Sequence, residues 1–139
     1  DASDRIRLIM GELFDALDLY DDVLSIGLEF DVGSGGKRLT GVQRQKLNLA
    51  RALLKRSDYF IFNRPIPALD QRIQDQITHN IIEDLHEEGK RPAIIWVLSN
   101  AKLAEIFDRI LLFDRGDLAE AGNYPELSEK NGMFKELLS

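Results

Sequence analysis

The stretch that decides the fold is VGSGGKRLTGVQRQKLNLARALL, residues 32–54, which begins as a glycine-rich turn and continues as a helix. Thr40 is a competent helix N-cap, and strong helix formers follow from Gln43 onward. A helix N-terminus behind flexible glycines suits an anion, because free N–H groups and the helix dipole point outward. An ordinary helix with a glycine-rich lead-in explains the same residues, and local features alone favour that simpler interpretation.

Composition excludes several classes of protein. The chain has 139 residues, enough for one domain with a core, and its formal net charge of −6 argues against a nucleic-acid partner. It contains no cysteine, which excludes disulfide and thiolate chemistry. No apolar run is long enough to span a bilayer, so the fragment itself is expected to be soluble. The start at Asp1, without a methionine or a signal peptide, suggests a chain cut from a longer protein.

The first third of the chain is predicted to be helical. Residues 1–20 form one predicted helix, which Asp21 and Asp22 break, and residues 23–26 form a further helical turn. The apolar face of the helix after the glycine-rich turn is predicted to comprise Leu47, Ala50 and Leu54.

Strands and helices are then predicted to alternate from residue 59 to residue 113. The wholly apolar run YFIF, residues 59–62, indicates a strand buried on both faces. A long helix is predicted from Asp70 to Gly89, with apolar residues four apart at Ile73, Ile77, Ile81 and Leu85. The remaining predicted elements are strands at 92–98 and 110–113, a short helix at 101–107, an antiparallel strand at 118–121, and two short helices within 125–138. This order predicts an α/β fold class with a parallel sheet.

Several of these segments, in this order, resemble the C-terminal part of an ABC-transporter ATP-binding domain of the exporter type. The family signature Leu-Ser-Gly-Gly-Gln is represented by LTGVQ at residues 39–43, followed by ARAL at residues 50–53. Four further segments match family motifs: residues 32–36 the Val-Gly-Glu-x-Gly loop of exporters, 59–62 the Walker B strand, 67–70 the D-loop Ser-Ala-Leu-Asp, and 108–132 the C-terminal tail. Each motif is weak by itself, whereas the whole series at the right separations is specific.

The resemblance implies a partial P-loop NTPase-type parallel core, its C-terminal half, with an N-terminal helical subdomain. Residues 1–57 correspond to the helical subdomain with the signature-like helix, and residues 58–139 to the C-terminal half of the α/β ATPase core. The sequence contains no Walker A motif, Gly-x-x-x-x-Gly-Lys-Ser/Thr, which wraps phosphates in backbone N–H groups. The family places that motif before the helical subdomain, so we predict that the chain is a fragment.

Three residues depart from the family where hydrolysis takes place. Asn63 and Arg64 replace the Asp-Glu pair that ends the Walker B strand, and Ser99 replaces the switch histidine that contacts the γ-phosphate. In the family the Asp holds Mg²⁺ through water and the Glu activates the attacking water. An uncharged amide is a weaker partner for Mg²⁺, and a guanidinium cannot act as a general base. We therefore predict no catalytic residue, no metal ligand and no ATP hydrolysis by this chain. Two interpretations of the Arg64 side chain remain: it forms a surface ion pair, or it donates a bidentate pair of hydrogen bonds to a phosphate.

The resemblance also implies nucleotide contacts made in trans, since the signature completes the partner subunit's site in a head-to-tail dimer. The implied residues are Leu39, Thr40, Gly41, Val42 and Gln43, with Asp70 of the D-loop. Val42 replaces the second signature glycine with a β-branched side chain, which weakens the contact. Ser34 replaces the acidic residue of the exporter loop, which puts the usual coupling to the transmembrane domain in doubt.

The function implied is that of a degenerate, non-hydrolytic part of an ABC-transporter ATP-binding subunit or domain, contributing to nucleotide-driven membrane export through a partner subunit. ATP and Mg²⁺ are the family's cofactors, and we expect the fragment to bind neither by itself. The implied partners are a second ATP-binding domain and a transmembrane domain, at the cytoplasmic face of a membrane.

Two other functions stay open. One is an interaction or regulatory module on an ABC ATPase scaffold that binds no nucleotide. The other is an unrelated α/β enzyme, which ranks last because the residues after the predicted strands (Asn63, Arg64, Ser99 and Asn100) include no base. A fragment with only part of the ATPase core leaves apolar surface and a strand edge open, which predicts self-association through that face or rearranged strands.

Overall fold

The computed structural model describes residues 2–55, 57–87 and 91–139. Its helices and strands are α1 (Ala2–Ala16), α2 (Tyr20–Ile26), α3 (Gly41–Leu53), β1 (Tyr59–Asn63), α4 (Gln71–Glu87), β2 (Ala93–Val97), β3 (Ile110–Asp114), β4 (Asp117–Gly122), α5 (Tyr124–Glu129) and α6 (Met133–Leu137). Two 3₁₀ segments, Ser34–Gly36 and Ala101–Ile106, complete the regular structure. Across these described ranges, no helix combines the length and the apolar composition that a membrane crossing requires.

The described chain forms two compact units, one reaching Trp96 and the other comprising Val97–Ser139. The division predicted at residue 57 rests on motif order rather than on contacts, and it stays a prediction.

The first helix ends earlier than the predicted helix over residues 1–20. Helix α1 stops at Ala16, and Asp18 then adopts a left-handed backbone with φ of 53°. Asp21 and Asp22, which were predicted to break a helix, lie in the first turn of α2. Acidic side chains interact favourably with the positive end of a helix dipole, which is why they begin this helix rather than end one.

The core of the first unit lies between the helices and one face of the β1–β2 sheet. The predicted stripe of α4 is confirmed, since Ile77 and Ile81 are fully buried and Ile73 and Leu85 pack against the same core. The other buried members are Leu13, Leu17, Leu19, Leu49, Ala50, Leu53, Phe60, Phe62 and Ile66. The helix stop predicted at Gly89 lies outside the described residues.

Helix α3 buries a different stripe from the predicted one. Of the predicted face, Ala50 is buried but Leu47 and Leu54 are exposed. The buried positions are Lys46, Leu49, Ala50 and Leu53, which follow the same three-and-four spacing one step round the helix. The predicted face of α3 was wrong because the buried stripe includes a lysine, and lysine is buried only when its charge is paired.

Strands β1 and β2 form a parallel pair connected through α4, the predicted strand–helix–strand unit. The N–H of Ala93 donates to the carbonyl of Asp58 over 2.9 Å at the start of the pair. The prediction that β1 is buried on both faces was wrong. Phe60 and Phe62 face the core, whereas Tyr59 and Ile61 are 72% and 69% exposed. The described chain packs against one face of this sheet, so the alternate side chains of an apolar strand stay in solvent.

The second unit is built on the predicted hairpin of β3 and β4. The strands pair antiparallel from Ile110↔Gly122 to Asp114↔Asp117, with a bulge between Leu112 and Phe113. Arg115 and Gly116 both have positive φ, 48° and 93°, the conformation that a two-residue hairpin turn requires. Within the described residues β3 pairs with β4 rather than with β1 or β2, so the parallel sheet is shorter than the predicted alternation to residue 113.

The predicted C-terminal helix pair is confirmed as α5 and α6. Asn123 caps α5 in a reciprocal capping box with Glu126, and Gly132 precedes α6. The core of this unit comprises Ala104, Ile110, Leu127 and Phe134.

Candidate functional site

One carboxylate organises the glycine-rich turn before α3. Asp31 accepts the N–H of Gly33 over 2.9 Å through Oδ1, and through Oδ2 it accepts Nη1 of Arg38, also over 2.9 Å. Gly36 has a φ of 69°, and a Cβ there would lie 3.2 Å from Cγ and Cδ of Arg44. The positive φ therefore favours glycine at position 36, and a side chain there would also crowd that of Arg44.

The N-terminus of α3 carries a complete capping box. Oγ1 of Thr40 accepts the N–H of Gln43 over 3.1 Å, and Oε1 of Gln43 accepts the N–H of Thr40 over 3.0 Å. Within the described ranges, the N–H groups of Gly41 and Val42 have no acceptor. A Cβ on Gly41 would meet no atom within 4 Å, so the space in front of this turn is open. Two free amides at a capped helix N-terminus can hold an anion.

The five signature-like residues, 39–43, thus divide into anchoring and outward-facing groups. Leu39 is buried, while Thr40 and Gly41 are exposed and Val42 is half-buried. The β-branched side chain of Val42 is held in the first helical turn, beside one of the two free amides.

A charged cluster that no sequence motif indicates lies behind this helix end. Nζ of Lys46, a side chain only 5% exposed, donates to the carbonyl of Asp18 over 2.5 Å and to its Oδ2 over 3.2 Å. It also lies 3.6 Å from Oδ2 of Asp22, whose Oδ1 accepts Nε2 of Gln43 over 3.0 Å. The available signal was the spacing of Gln43 and Lys46, which puts both side chains on one face of α3.

The D-loop-like turn, residues 67–70, is tied to α3 and α4. Oε1 of Gln45 accepts the N–H of Ala68 over 3.3 Å, and Nε2 of Gln74 donates to the carbonyl of Leu69 over 2.7 Å. Oδ1 of Asp70 accepts the N–H of Ile73 over 3.1 Å and so caps α4. The structure therefore brings the signature-like helix and this turn together within the first unit.

The residues at the carboxyl ends of β1 and β2 carry no carboxylate. Asn63 is the last residue of β1, and Arg64 follows with a φ of 44°, an uncommon conformation for a side chain other than glycine. Both are exposed, and an amide beside a guanidinium does not fit Mg²⁺, which selects carboxylate and water oxygens. In the part of the chain that the structure describes, no group of three or more acidic or histidine residues could hold a metal ion. Ser99, two residues after β2, is exposed and belongs to the second unit.

A cavity of about 420 Å³ opens at the other end of the β1–β2 sheet. Its lining includes Asp58 and Pro92, which precede the two strands, together with Glu12, Phe60 and Arg91. Asn63 and Arg64 lie at the opposite, carboxyl end of β1, so this cavity is separate from the residues that the motifs single out.

Comparison with known proteins finds relatives along nearly the whole chain. It is 34% identical over 128 residues to an ATP-dependent lipid A-core flippase of Francisella novicida, covering 88% of this chain and 21% of the flippase. It is 34% identical over 137 residues to a beta-(1→2)glucan export ATP-binding/permease protein of Agrobacterium vitis, covering 99% of this chain and 23% of that protein. It is 35% identical over 113 residues to a glutathione/L-cysteine transport system ATP-binding/permease protein of Haemophilus influenzae, covering 81% and 19%. No family model matches the chain.

The fold is also found among solved structures. A bacterial Atm1-family ABC exporter with ATP bound matches with a TM-score of 0.74 at 24% identity, covering 94% of this chain and 23% of that one. This likeness confirms the predicted α/β fold with a partial P-loop NTPase-type core. The chain spans about a fifth of the length of the curated relatives it matches.

Proposed function

We propose that this chain takes part in nucleotide-driven export as part of a longer transporter. It is homologous to ABC exporter ATP-binding/permease proteins over about 90% of its length. Residues 1–57 supply a helical subdomain with the signature-like helix, and residues 58–139 supply the C-terminal half of the ATPase core. The partners are a second ATP-binding domain and a transmembrane domain, at the cytoplasmic face of a membrane. The observation that carries the proposal is the capped N-terminus of α3 with its two free amides. The same helix binds the D-loop-like turn through the hydrogen bond between Gln45 and Ala68.

The proposed role is to contact a partner's nucleotide without hydrolysing one. The contact residues are Leu39, Thr40, Gly41, Val42 and Gln43, with Asp70 in the neighbouring turn. Support comes from the open space at Gly41 and from the anion preference of a helix N-terminus. The absence of hydrolysis is supported by Asn63 and Arg64, which provide neither a base nor a charged ligand for Mg²⁺, and by the loss of a histidine at Ser99.

Titration of the full-length protein with labelled ATP and Mg²⁺ tests this proposal. We expect saturable binding that Gly41→Asp weakens about tenfold or more, because the new carboxylate would lie beside the phosphate oxygens. The open space at Gly41 means that this substitution does not disturb packing, and Gly41→Asn, of the same shape without the charge, is the matched control. Equal affinity of the two variants would contradict a phosphate contact at α3.

The same titration separates the alternative function. An interaction or regulatory module on the same scaffold predicts no saturable ATP binding by the wild-type protein. The observation that favours this alternative is the poor fit of Asn63 and Arg64 to Mg²⁺.

We further propose that the isolated chain self-associates through the outer face of the β1–β2 sheet. Tyr59, Ile61 and Ile95 are large apolar side chains that lie exposed on this face. A contiguous apolar sheet surface is an association site in water, since its burial removes that area from solvent.

Light scattering of the isolated chain, measured over a range of concentrations, tests this proposal. We expect the wild-type chain to form dimers or larger species, and Ile61→Lys to shift it to monomer, because a buried unpaired ammonium opposes association. Asn48→Lys adds the same charge at an exposed position of α3 and should leave the association unchanged. A wild-type chain that stays monomeric at high concentration would refute self-association.

A further inference from the structure

Two side chains on successive turns of α3 bind the same carboxylate of α2. Nε2 of Gln43 donates to Oδ1 of Asp22 over 3.0 Å, and Nζ of Lys46 lies 3.6 Å from Oδ2 of Asp22. The side chain of Asp22 is 27% exposed and that of Lys46 is 5% exposed, so both groups are largely withdrawn from water. The ammonium of Lys46 depends on protein partners, because solvent reaches so little of it.

The Gln43 amide links this cluster to the helix end. The capping box needs Oε1 of Gln43 to face the N–H of Thr40, which leaves Nε2 on the other side of the amide group. A carboxylate only accepts hydrogen bonds, so Asp22 can bind the donor Nε2 of Gln43 but not the acceptor Oε1. Asp22 therefore selects the one orientation of Gln43 that completes the cap.

Lys46 in turn fixes Asp22 and the turn before it. Its ammonium binds the carbonyl and Oδ2 of Asp18, the left-handed residue between α1 and α2, as well as approaching Asp22. Helix α2 has no buried residue between its ends, and its apolar anchor is Leu19 at the N-cap, which is buried in the core. The polar contacts of Asp22 with Gln43 and Lys46 hold the first turn of α2 against α3.

We propose that Asp22 and Lys46 are positioning residues for the N-terminus of α3, acting through the orientation of the Gln43 side chain. Displacement of α2 carries Asp22 away, frees Gln43 to rotate, and opens the cap beside the amides of Gly41 and Val42. The position of α2 is thereby coupled to the geometry of the helix end. The expectation that this coupling changes nucleotide binding rests on the function proposed above, whereas the coupling between α2 and the cap does not.

Amide hydrogen exchange by NMR on the 139-residue chain tests the coupling directly. We expect Asp22→Ala to speed exchange of the Thr40 N–H by about fivefold or more relative to Asp21→Ala, because that N–H loses an oriented acceptor. Asp21 lies beside Asp22 in the first turn of α2, so the control removes the same charge from the same helix turn. The amide of Ile81, in the core helix α4, reports any general loss of stability, which would move all protected amides together.

Should Asp22→Ala fail to fold, the pair Asp22→Asn and Asp21→Asn answers the same question. Asparagine at position 22 has both a donor and an acceptor, so it no longer selects one orientation of the Gln43 amide, and it lacks the charge that faces Lys46. Thr40 exchange is therefore again expected to be faster than in the matched control. Equal Thr40 exchange within either folded pair, after correction by the Ile81 amide, would overturn the proposal.

ATP·Mg²⁺ titration of the full-length variants separates this inference from the proposed function. If both hold, Asp22→Ala binds ATP several-fold more weakly than Asp21→Ala. If the wild-type protein binds no ATP, the proposed function fails while faster Thr40 exchange still supports the coupling. If the wild type binds ATP and Thr40 exchange is unchanged, the proposed function stands and the coupling fails.

Discussion

Replacing Phe62 by alanine is expected to lower the free energy of unfolding by about 3–5 kcal/mol, the usual cost of truncating a buried aromatic side chain. Phe62 is 4% exposed, and its ring centroid lies 4.5 Å from that of Trp96 and 5.6 Å from that of Phe60. The truncation removes these contacts and leaves a cavity between β1 and the helices. A loss of this size is a large fraction of the stability of an ordinary small domain.

The neighbouring substitution Ile61→Ala is the control, because Ile61 lies on the outer face of the same strand. We expect it to change the free energy of unfolding by about 0.5 kcal/mol or less at a low protein concentration. Urea unfolding followed by the fluorescence of Trp96, the single tryptophan, measures both variants. Equal losses from the two substitutions would mean that both faces of β1 are covered, as its uniformly apolar sequence predicts.

This strand shows how far sequence alone can determine a fold. The run YFIF, residues 59–62, gives the position of β1 to within one residue, since a strand suits so short an apolar segment between polar residues. It does not tell which neighbours cover each face, because that depends on other parts of the structure. Helix α4 was predicted more fully, since its isoleucines repeat every four residues and Ile77 and Ile81 can share only one face.

Lys46 shows a different reason for failure. A lysine in an apolar stripe is normally evidence against burial, and its partners Asp18 and Asp22 lie far from it in sequence. The left-handed turn at Asp18 lies between α1 and α2 and precedes Asp22, and although aspartate tolerates that conformation, no repeat in the sequence predicts it at this position. For the candidate site, the sequence identifies Thr40 as a cap, but the part of Gln43 in that cap and the side of α3 that is tied to α2 appear only in the structure.

Restoring both carboxylates after β1, by Asn63→Asp with Arg64→Glu, is expected to raise ATP turnover of the full-length protein about 100-fold or more over wild type. General bases contribute about 10²–10⁴-fold to enzymatic rates, and Arg64 cannot act as one because a guanidinium stays protonated. Arg64 holds a left-handed backbone with a φ of 44°. Glutamate bears the same backbone cost there as arginine, so the substitution changes the charge at the strand end without adding strain.

The matched control is Asn63→Asp with Arg64→Gln, which removes the guanidinium and restores the Mg²⁺-binding charge but supplies no base. We expect its turnover to stay well below that of the variant with glutamate, and steady-state phosphate release measures both. Because Ser99 remains in place of a histidine, the restored rate need not reach that of an intact site. Two results would contradict the assignment of Asn63 and Arg64 to a disabled site: a wild-type rate equal to that of the restored variant, or a loss of turnover in Arg64→Ala. Equal rates would mean that the missing carboxylates do not limit turnover. Loss of turnover in Arg64→Ala would mean that the guanidinium takes part in the reaction, and that an arginine after β1 stabilises phosphate charge rather than marking a lost base.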